Sequence, residues 1–179
     1  MQTLRGAAPV THGAEEPSEW VVKWAPRVTR GPVLDVACGE GRHARFFRDK
    51  GFEVVAVDRE ENSSLSPGIE FIKADLEDGG PWPFAGRKFG AIVVTNYLHR
   101  PLFPLLAASL DEGGVLIYET FMVGNERFGR PSNPKFLLRA GELKEGFAGL
   151  QVLDFEEGEF VRPKRAMLQR ICALKTSRM

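Results

Sequence analysis

The sequence predicts an α/β fold built on a mostly parallel sheet, and three observations carry that prediction. Apolar runs alternate with helix-compatible polar stretches along most of the chain. The run Phe89 to Thr95 is nearly continuous and rich in β-branched residues, as suits a strand covered on both faces. The stretch Gly31 to Arg59, GPVLDVACGEGRHARFFRDKGFEVVAVDR, reads as strand, glycine turn, helix and strand, with an acid at the tip of the second strand.

Taken in order, residues 1–15 are small, polar and broken by Pro and Gly, which predicts a flexible arm ahead of a single domain over 16–179. Pro17-Ser18-Glu19 opens a helix whose apolar stripe is Trp20, Val21 and Trp24, and Pro26 ends it. Tryptophans at helical spacing read as cover for the sheet in preference to a lid over a ligand. Val33 to Ala37 is the first strand. The helix Arg42 to Lys50 follows, with Ala44 and Phe47 inward, His43 toward solvent and Gly51 closing it. Phe52 to Val57 is the second strand. Glu60 to Gly68, rich in Asn, Ser and Pro, allows only a turn or two before the third strand, Ile69 to Lys73.

Asp78 to Lys88 is a loop by its Gly and Pro content, and it leads into the fourth strand, Phe89 to Thr95. Pro101 and Pro104 begin a helix expected to turn Leu105, Leu106 and Leu110 inward. Asp111 to Gly114 then turns into a fifth strand, Val115 to Thr120. Beyond Phe121 the pattern changes: Met122 to Pro134 is a polar loop, and Lys135 to Phe147 holds one or two short helical pieces. Leu150 to Phe155 and Ala166 to Leu174 are the last strands. The interval Glu156 to Arg165 is short for a helical crossover and natural for an antiparallel hairpin. The expected sheet therefore has five parallel strands plus a C-terminal antiparallel hairpin, seven strands in all, with helices on both faces.

Composition narrows the function. Lys and Arg number 24 against 24 Asp and Glu, so the chain lacks the basic excess that a nucleic-acid backbone demands. Hydrophobic residues at 43% and charged residues at 27% describe an ordinary globular protein. No run approaches the length of a membrane span, and the N-terminus lacks the apolar core of a signal peptide. The only cysteines, Cys38 and Cys172, read as reduced thiols in a cytoplasmic protein. No His/Cys grouping has the spacing of metal ligands.

Gly39 and Gly41 remove side chains where the backbone must turn tightly and approach a ligand. Asp58 would offer its carboxylate to two neighbouring hydroxyls, as on a ribose. Asp35, inside an apolar strand, anchors the glycine loop, faces the ligand, or does both, because an unpaired carboxylate there is costly. With Asp75 just past the third strand, these acids sit at the carboxyl ends of successive strands, where open α/β sheets bind ligands.

On these residues the chain resembles the class I S-adenosylmethionine-dependent methyltransferases. Asp35-Val36-Ala37-Cys38-Gly39-Glu40-Gly41 matches that family's D-x-x-x-G-x-G, Asp58 and Asp75 match its next two acidic positions, and the terminal hairpin separates it from nucleotide dehydrogenases. The short length and the Gly41-Arg42 helix start are most similar to the small tellurite-resistance-type members. The resemblance spans about Trp20 to Leu174. It implies S-adenosyl-L-methionine as cofactor, with S-adenosyl-L-homocysteine as product. It also implies contacts from Asp35, Ala37, Cys38, Gly39 and Gly41 along the methionine moiety. Asp58 with the adjoining Arg59 would serve the ribose, Asp75 and the Leu76 amide the adenine, and Asn96 the methionine end.

The implied reaction is methyl transfer by in-line displacement to a small-molecule acceptor, which demands alignment before acid–base help. Should a base assist, the candidates are His99, Glu119 and Tyr97, at the ends of the fourth and fifth strands. His99 reads equally as a polar residue at a helix start, and Glu119 as a strand-end acid paired with an arginine. Cys38 is a small residue beside the ligand, with nucleophilic catalysis the lesser reading. Asn125, Arg127 and Arg130 lie in the loop after the fifth strand and could clamp an anion or simply be solvated. Arg162, Lys164 and Arg165 read as an exposed hairpin turn. Two rivals remain at this stage. One is an NAD(P)-dependent oxidoreductase, since Gly39 to Ala44 also fits G-x-G-x-x-A. The other is a non-catalytic cofactor-binding scaffold. The acceptor and the oligomeric state are open.

Overall fold

The computed structural model describes residues 16–62, 65 and 67–177. The arm expected over 1–15 lies outside the described residues. Seven strands form one sheet in the order β3-β2-β1-β4-β5-β7-β6. They are β1 (Val33–Val36), β2 (Val54–Asp58), β3 (Ile69–Lys73), β4 (Phe89–Thr95), β5 (Leu110–Phe121), β6 (Gln151–Phe160) and β7 (Ala166–Leu174). β1 to β5 pair in parallel, while β7 enters antiparallel between β5 and β6. The predicted five-plus-hairpin sheet is the one observed.

Strand alternation sorts the core into two apolar layers. One face buries Leu34, Val36, Val55, Ile92, Val94 and Tyr118 beneath α3 (Phe103–Ser109) and α4 (Glu142–Gly146), which contribute Phe103, Leu106 and Leu143, with Phe147 just beyond α4. The other buries Val33, Ala56, Val93 and Ile117 beneath α1 (Glu19–Trp24) and α2 (Arg42–Asp49) through Trp20, Val21, Ala44 and Phe47. Helices therefore cover both faces.

Several sequence readings are corrected. Leu105 is exposed, and Leu102, Phe103 and Leu106 make the inward face instead. Leu110 is buried, but as the first residue of β5, which runs through the expected turn with a register shift opposite Phe89 and Ala91. β6 extends to Phe160 because it pairs with β7 down to the Phe160–Ala166 pair. His43 is 2% exposed and does not face solvent. Its Nε2 accepts the Ser18 N–H at 3.0 Å, and its Nδ1 lies 3.4 Å from the Thr95 hydroxyl, so the ring joins α1 to α2 and β4.

Ser18 is the hinge of that junction. Its hydroxyl accepts the Trp20 N–H at 3.2 Å, capping α1, and donates to Glu119 Oε1 at 3.0 Å. Trp20 lies buried beneath, its indole N–H donating to the Ile171 carbonyl of β7 at 3.1 Å, as a cover for the sheet would. Ser18→Ala removes the cap and the Glu119 bond together. We expect it to lower stability by about 1–2 kcal/mol in urea denaturation, and an unchanged midpoint would refute this role.

Candidate active site

The site grows from the carboxyl ends of β1 to β4. Beyond β1 the chain passes through Ala37 at φ +52° and Gly39 at φ +53°; beyond β4 it passes through Asn96 at φ +54°. Non-glycine residues avoid this left-handed region, and alanine has no side chain with which to compensate. Two such residues at neighbouring strand tips turn the backbone sharply around one hollow. Gly41 sits at φ +83°, where a side chain is strained, and a Cβ there would also displace the tip of the Leu65 side chain.

Asp35 holds this turn from below. It is 2% exposed, and its Oδ2 accepts the Ala44 N–H at 3.0 Å, inside the first turn of α2. Gly41, the residue before that helix, has no side chain to offer, so the strand supplies the cap. Burial pushes the Asp35 carboxyl up to about 7, although the Ala44 hydrogen bond and Arg42 pull the other way. Burial also drives His43 down to about 3, leaving it neutral, and lifts the Cys38 thiol up to about 12. A protonated thiol is no nucleophile.

Two adjoining cavities open above the strand tips. The first, of about 440 Å³, is lined by Ala37, Asp58, Arg59, Asp75, Leu76 and Asn96, together with Tyr97, Phe121 and Phe136. The second, of about 560 Å³, takes in Ala37, Cys38, Gly39, Asn96, Glu119 and Phe121. Ala37, Asn96 and Phe121 belong to both and form the seam between them. Asp58 Oδ2 accepts the Gly39 N–H at 2.9 Å and Oδ1 accepts the Glu60 N–H at 3.0 Å, which presents the carboxylate at the cavity wall with lone pairs to spare. Asp75 Oδ1 accepts the Glu77 N–H at 2.9 Å in a similar turn.

Most sequence-predicted residues therefore meet at this hollow, and three do not line it. Asp35 lies beneath the turn and lines neither cavity, so of the three carboxylates expected to converge only Asp58 and Asp75 share one hollow. Gly41 faces Leu65. His99 is turned to Glu77, its Nδ1 3.5 Å from the Glu77 Oε1, and lines neither cavity. Tyr97 does line the first cavity, but burial, followed by the Glu77 carboxylate beside it, pushes its hydroxyl well above the ordinary range, so it stays a neutral donor. Glu119 reaches the second cavity already held: Arg170 Nε lies 2.5 Å from its Oε2, and Ser18 occupies Oε1. The arginine partner expected for it is therefore present, in Arg170.

Sequence reasoning missed Phe121, Phe136, Lys164, Arg165 and Arg170. Arg170 carried a signal, because it is a cation within the apolar run of β7 and sits opposite Glu119 in the sheet register. Phe136 carried none. It is placed by Arg100, whose guanidinium donates to the carbonyls of Lys135 at 3.1 Å and Leu137 at 2.9 Å and pairs with Glu142 at 2.5 Å.

Comparison with known proteins accords with this geometry. Residues 33–114, which carry the glycine turn, Asp58 and Asp75, match the family model described as a methyltransferase domain. The fold is that of the class I S-adenosylmethionine-dependent methyltransferases. TehB from Haemophilus influenzae superposes with a TM-score of 0.70 at 21% identity over 87% of this chain, which spans 61% of TehB. An S-adenosylmethionine-dependent methyltransferase from Mesorhizobium loti gives 0.66 at 19% identity, over 87% of this chain and 95% of that one. The Burkholderia thailandensis 1,6-didemethyltoxoflavin-N1-methyltransferase, solved with 1,6-didemethyltoxoflavin and S-adenosylhomocysteine, gives 0.62 at 18% identity, over 88% and 76%. No curated protein sequence matches the chain.

The two buried titrating groups oppose each other in stability. Asp35 keeps its proton in the fold up to about pH 7 but in the unfolded chain only to about 3.8, so its contribution favours the fold at low pH and is lost as pH rises. His43 protonates in the unfolded chain below about 6.5 but in the fold only near 3, so acid works against the fold through it. Between about pH 4 and 6.5 the two cancel. Asp35→Asn keeps an acceptor for Ala44 and leaves the histidine unopposed. Its stability relative to the parent should fall by about 1 kcal/mol per pH unit on acidification through that window, read from denaturation curves. Parallel pH profiles would contradict the assignment.

Proposed function

We propose that the protein is an S-adenosylmethionine-dependent methyltransferase that moves a methyl group to a small-molecule acceptor by in-line displacement. The observation that carries this reading is the seam. Two cavities, one bearing the acids suited to an adenosyl group, meet at Ala37 and Asn96, the two strand-tip residues held at positive φ. When bound, the cofactor would supply an electrophilic methyl group on a sulfonium. Asp58 would accept from the ribose hydroxyls, and Asp75 from the adenine amino group. Carboxylates and carbonyl dipoles around the hollow suit a cation better than a nest built for phosphate would.

With the adenosyl part in the first cavity, a methyl group at the seam would face the second. The acceptor's lone pair would form the new bond to carbon as the carbon–sulfur bond broke and its electron pair returned to sulfur. The chain's contribution is alignment and exclusion of water. β7 entering antiparallel beside β5 sets the sheet apart from the dinucleotide-binding oxidoreductases. Equal numbers of acidic and basic residues favour a small acceptor over nucleic acid. Two free, buried thiols, Cys38 and Cys172, suit a reducing, cytoplasmic setting. No described helix is long and apolar enough to cross a membrane.

Calorimetric titration with S-adenosylhomocysteine tests the reading. The wild type should bind it, and Asp58→Ala should bind at least tenfold more weakly, the loss expected for charge-assisted hydrogen bonds to two hydroxyls. Thermal stabilisation by NAD and not by S-adenosylhomocysteine would overturn it.

A further inference from the structure

The second cavity is charged unevenly. Its wall toward the N-terminal segment and the glycine turn carries the exposed glutamates Glu16, Glu19 and Glu40, with the half-buried Arg42 among them donating to the Glu16 carbonyl at 3.0 Å. Its far wall, made by the loop after β5 and the β6–β7 turn, carries Arg130, Lys164 and Arg165. Arg165 is committed to Glu159 and to the Phe128 ring, 4.9 Å away. Arg130 and Lys164 have no hydrogen-bond or ion-pair partner among the described residues. Both are exposed at the cavity mouth, and two cations without a counter-charge on one wall favour an anion there.

The loop that carries Arg130 is built to stay in place. Asn125 is 2% exposed, and its side chain donates to the Pro131 carbonyl at 2.9 Å while accepting the Met167 N–H of β7 at 3.1 Å. One buried amide thus ties the residue next to Arg130 to the strand that begins just after Lys164. Arg130 and Lys164 are presented from two segments pinned to each other.

The same cavity lacks a free proton acceptor in its depth. Glu119, its one buried carboxylate, is occupied by Arg170 and Ser18. Behind it, both nitrogens of His43 face Ser18 and Thr95. The Cys38 thiol is held in its protonated form by burial. An acceptor that attacks here must therefore need no proton removed by the protein first.

We infer that the acceptor is a small organic carboxylate, its carboxylate docked between Arg130 and Lys164 and a second, nucleophilic atom reaching the seam at Ala37 and Asn96. This rests on the methyltransferase reading and specifies its substrate class. The carboxylate is the recognition group and is not methylated. The nucleophilic atom, a thiolate or an uncharged amine, forms the bond to the methyl carbon while the carbon–sulfur bond breaks and its electrons return to sulfur. An amine then releases its extra proton to water.

The test is transfer of labelled methyl from S-adenosylmethionine to a panel of thiols and amines, each offered as a carboxylate and as its methyl ester. At least one carboxylate should be methylated with kcat/KM at least tenfold above its ester, and Arg130→Gln/Lys164→Gln should close that gap while its affinity for S-adenosylhomocysteine stays within twofold of wild type. Esters turned over as well as carboxylates, a gap that survives in the double variant, or no transfer to any carboxylate by a protein that binds S-adenosylhomocysteine would overturn the assignment. Failure of the wild type to bind S-adenosylhomocysteine would instead defeat the parent reading, and this one with it.

Discussion

A carboxylate buried at the centre of a sheet is costly unless a donor meets it, and the hydrogen bond from Ala44 to Asp35 is where this protein meets that cost. That one contact joins the end of β1 to the first turn of α2 across the glycine turn. It lets Gly41 stand where a capping side chain would normally be, with Leu65 packed against it. Gly39, whose conformation depends on that turn, then lends its N–H to Asp58. The carboxylate on the ligand side is thus oriented by backbone that the buried carboxylate holds still.

The two halves of the site are constructed differently. The first cavity is made of strand tips and short turns, positioned by parallel pairing that runs through the core. The second adds loops and the N-terminal segment to residues of β5 and β7, and side chains far apart in sequence lock these together: Ser18 to Glu119, Glu119 to Arg170, Asn125 to Met167. A rigid half suited to an invariant ligand and a loop-built half suited to a variable one is the arrangement to expect where the same chemistry serves many acceptors. Arg100 serves the first half alone, gripping the segment that brings Phe136 over the first cavity.

Much of this was legible in the sequence, for local reasons. Ile69–Lys73 and Phe89–Thr95 are apolar runs bounded by turn residues, and they form strands with those bounds. Asp58 and Asp75 announce themselves as acids directly after such runs. His43 was misread because a polar residue near a helix start looks solvated, whereas α1, arriving from earlier in the chain, covers it and uses its ring as an acceptor. Lys164 and Arg165 looked like an ordinary hairpin turn because nothing local says that the turn folds back over a cavity formed near Ala37. His99 follows β4 as expected, and Glu119 lies near the end of β5, just before Thr120, where the sequence ends that strand. Which way their side chains turn depended on Glu77, Arg170 and Ser18, contacts that periodicity does not encode.

The central claim is that the adenosyl cavity and the acceptor cavity meet at one seam, with the reactive sulfur between them. A crystal structure with S-adenosylhomocysteine measures this directly. The account predicts adenine beside Asp75 and Leu76, the ribose on Asp58, and the sulfur against Ala37 and Asn96, open toward Phe121 and the second cavity. A ligand bound elsewhere, or one whose sulfur is walled off from the second cavity, would contradict it.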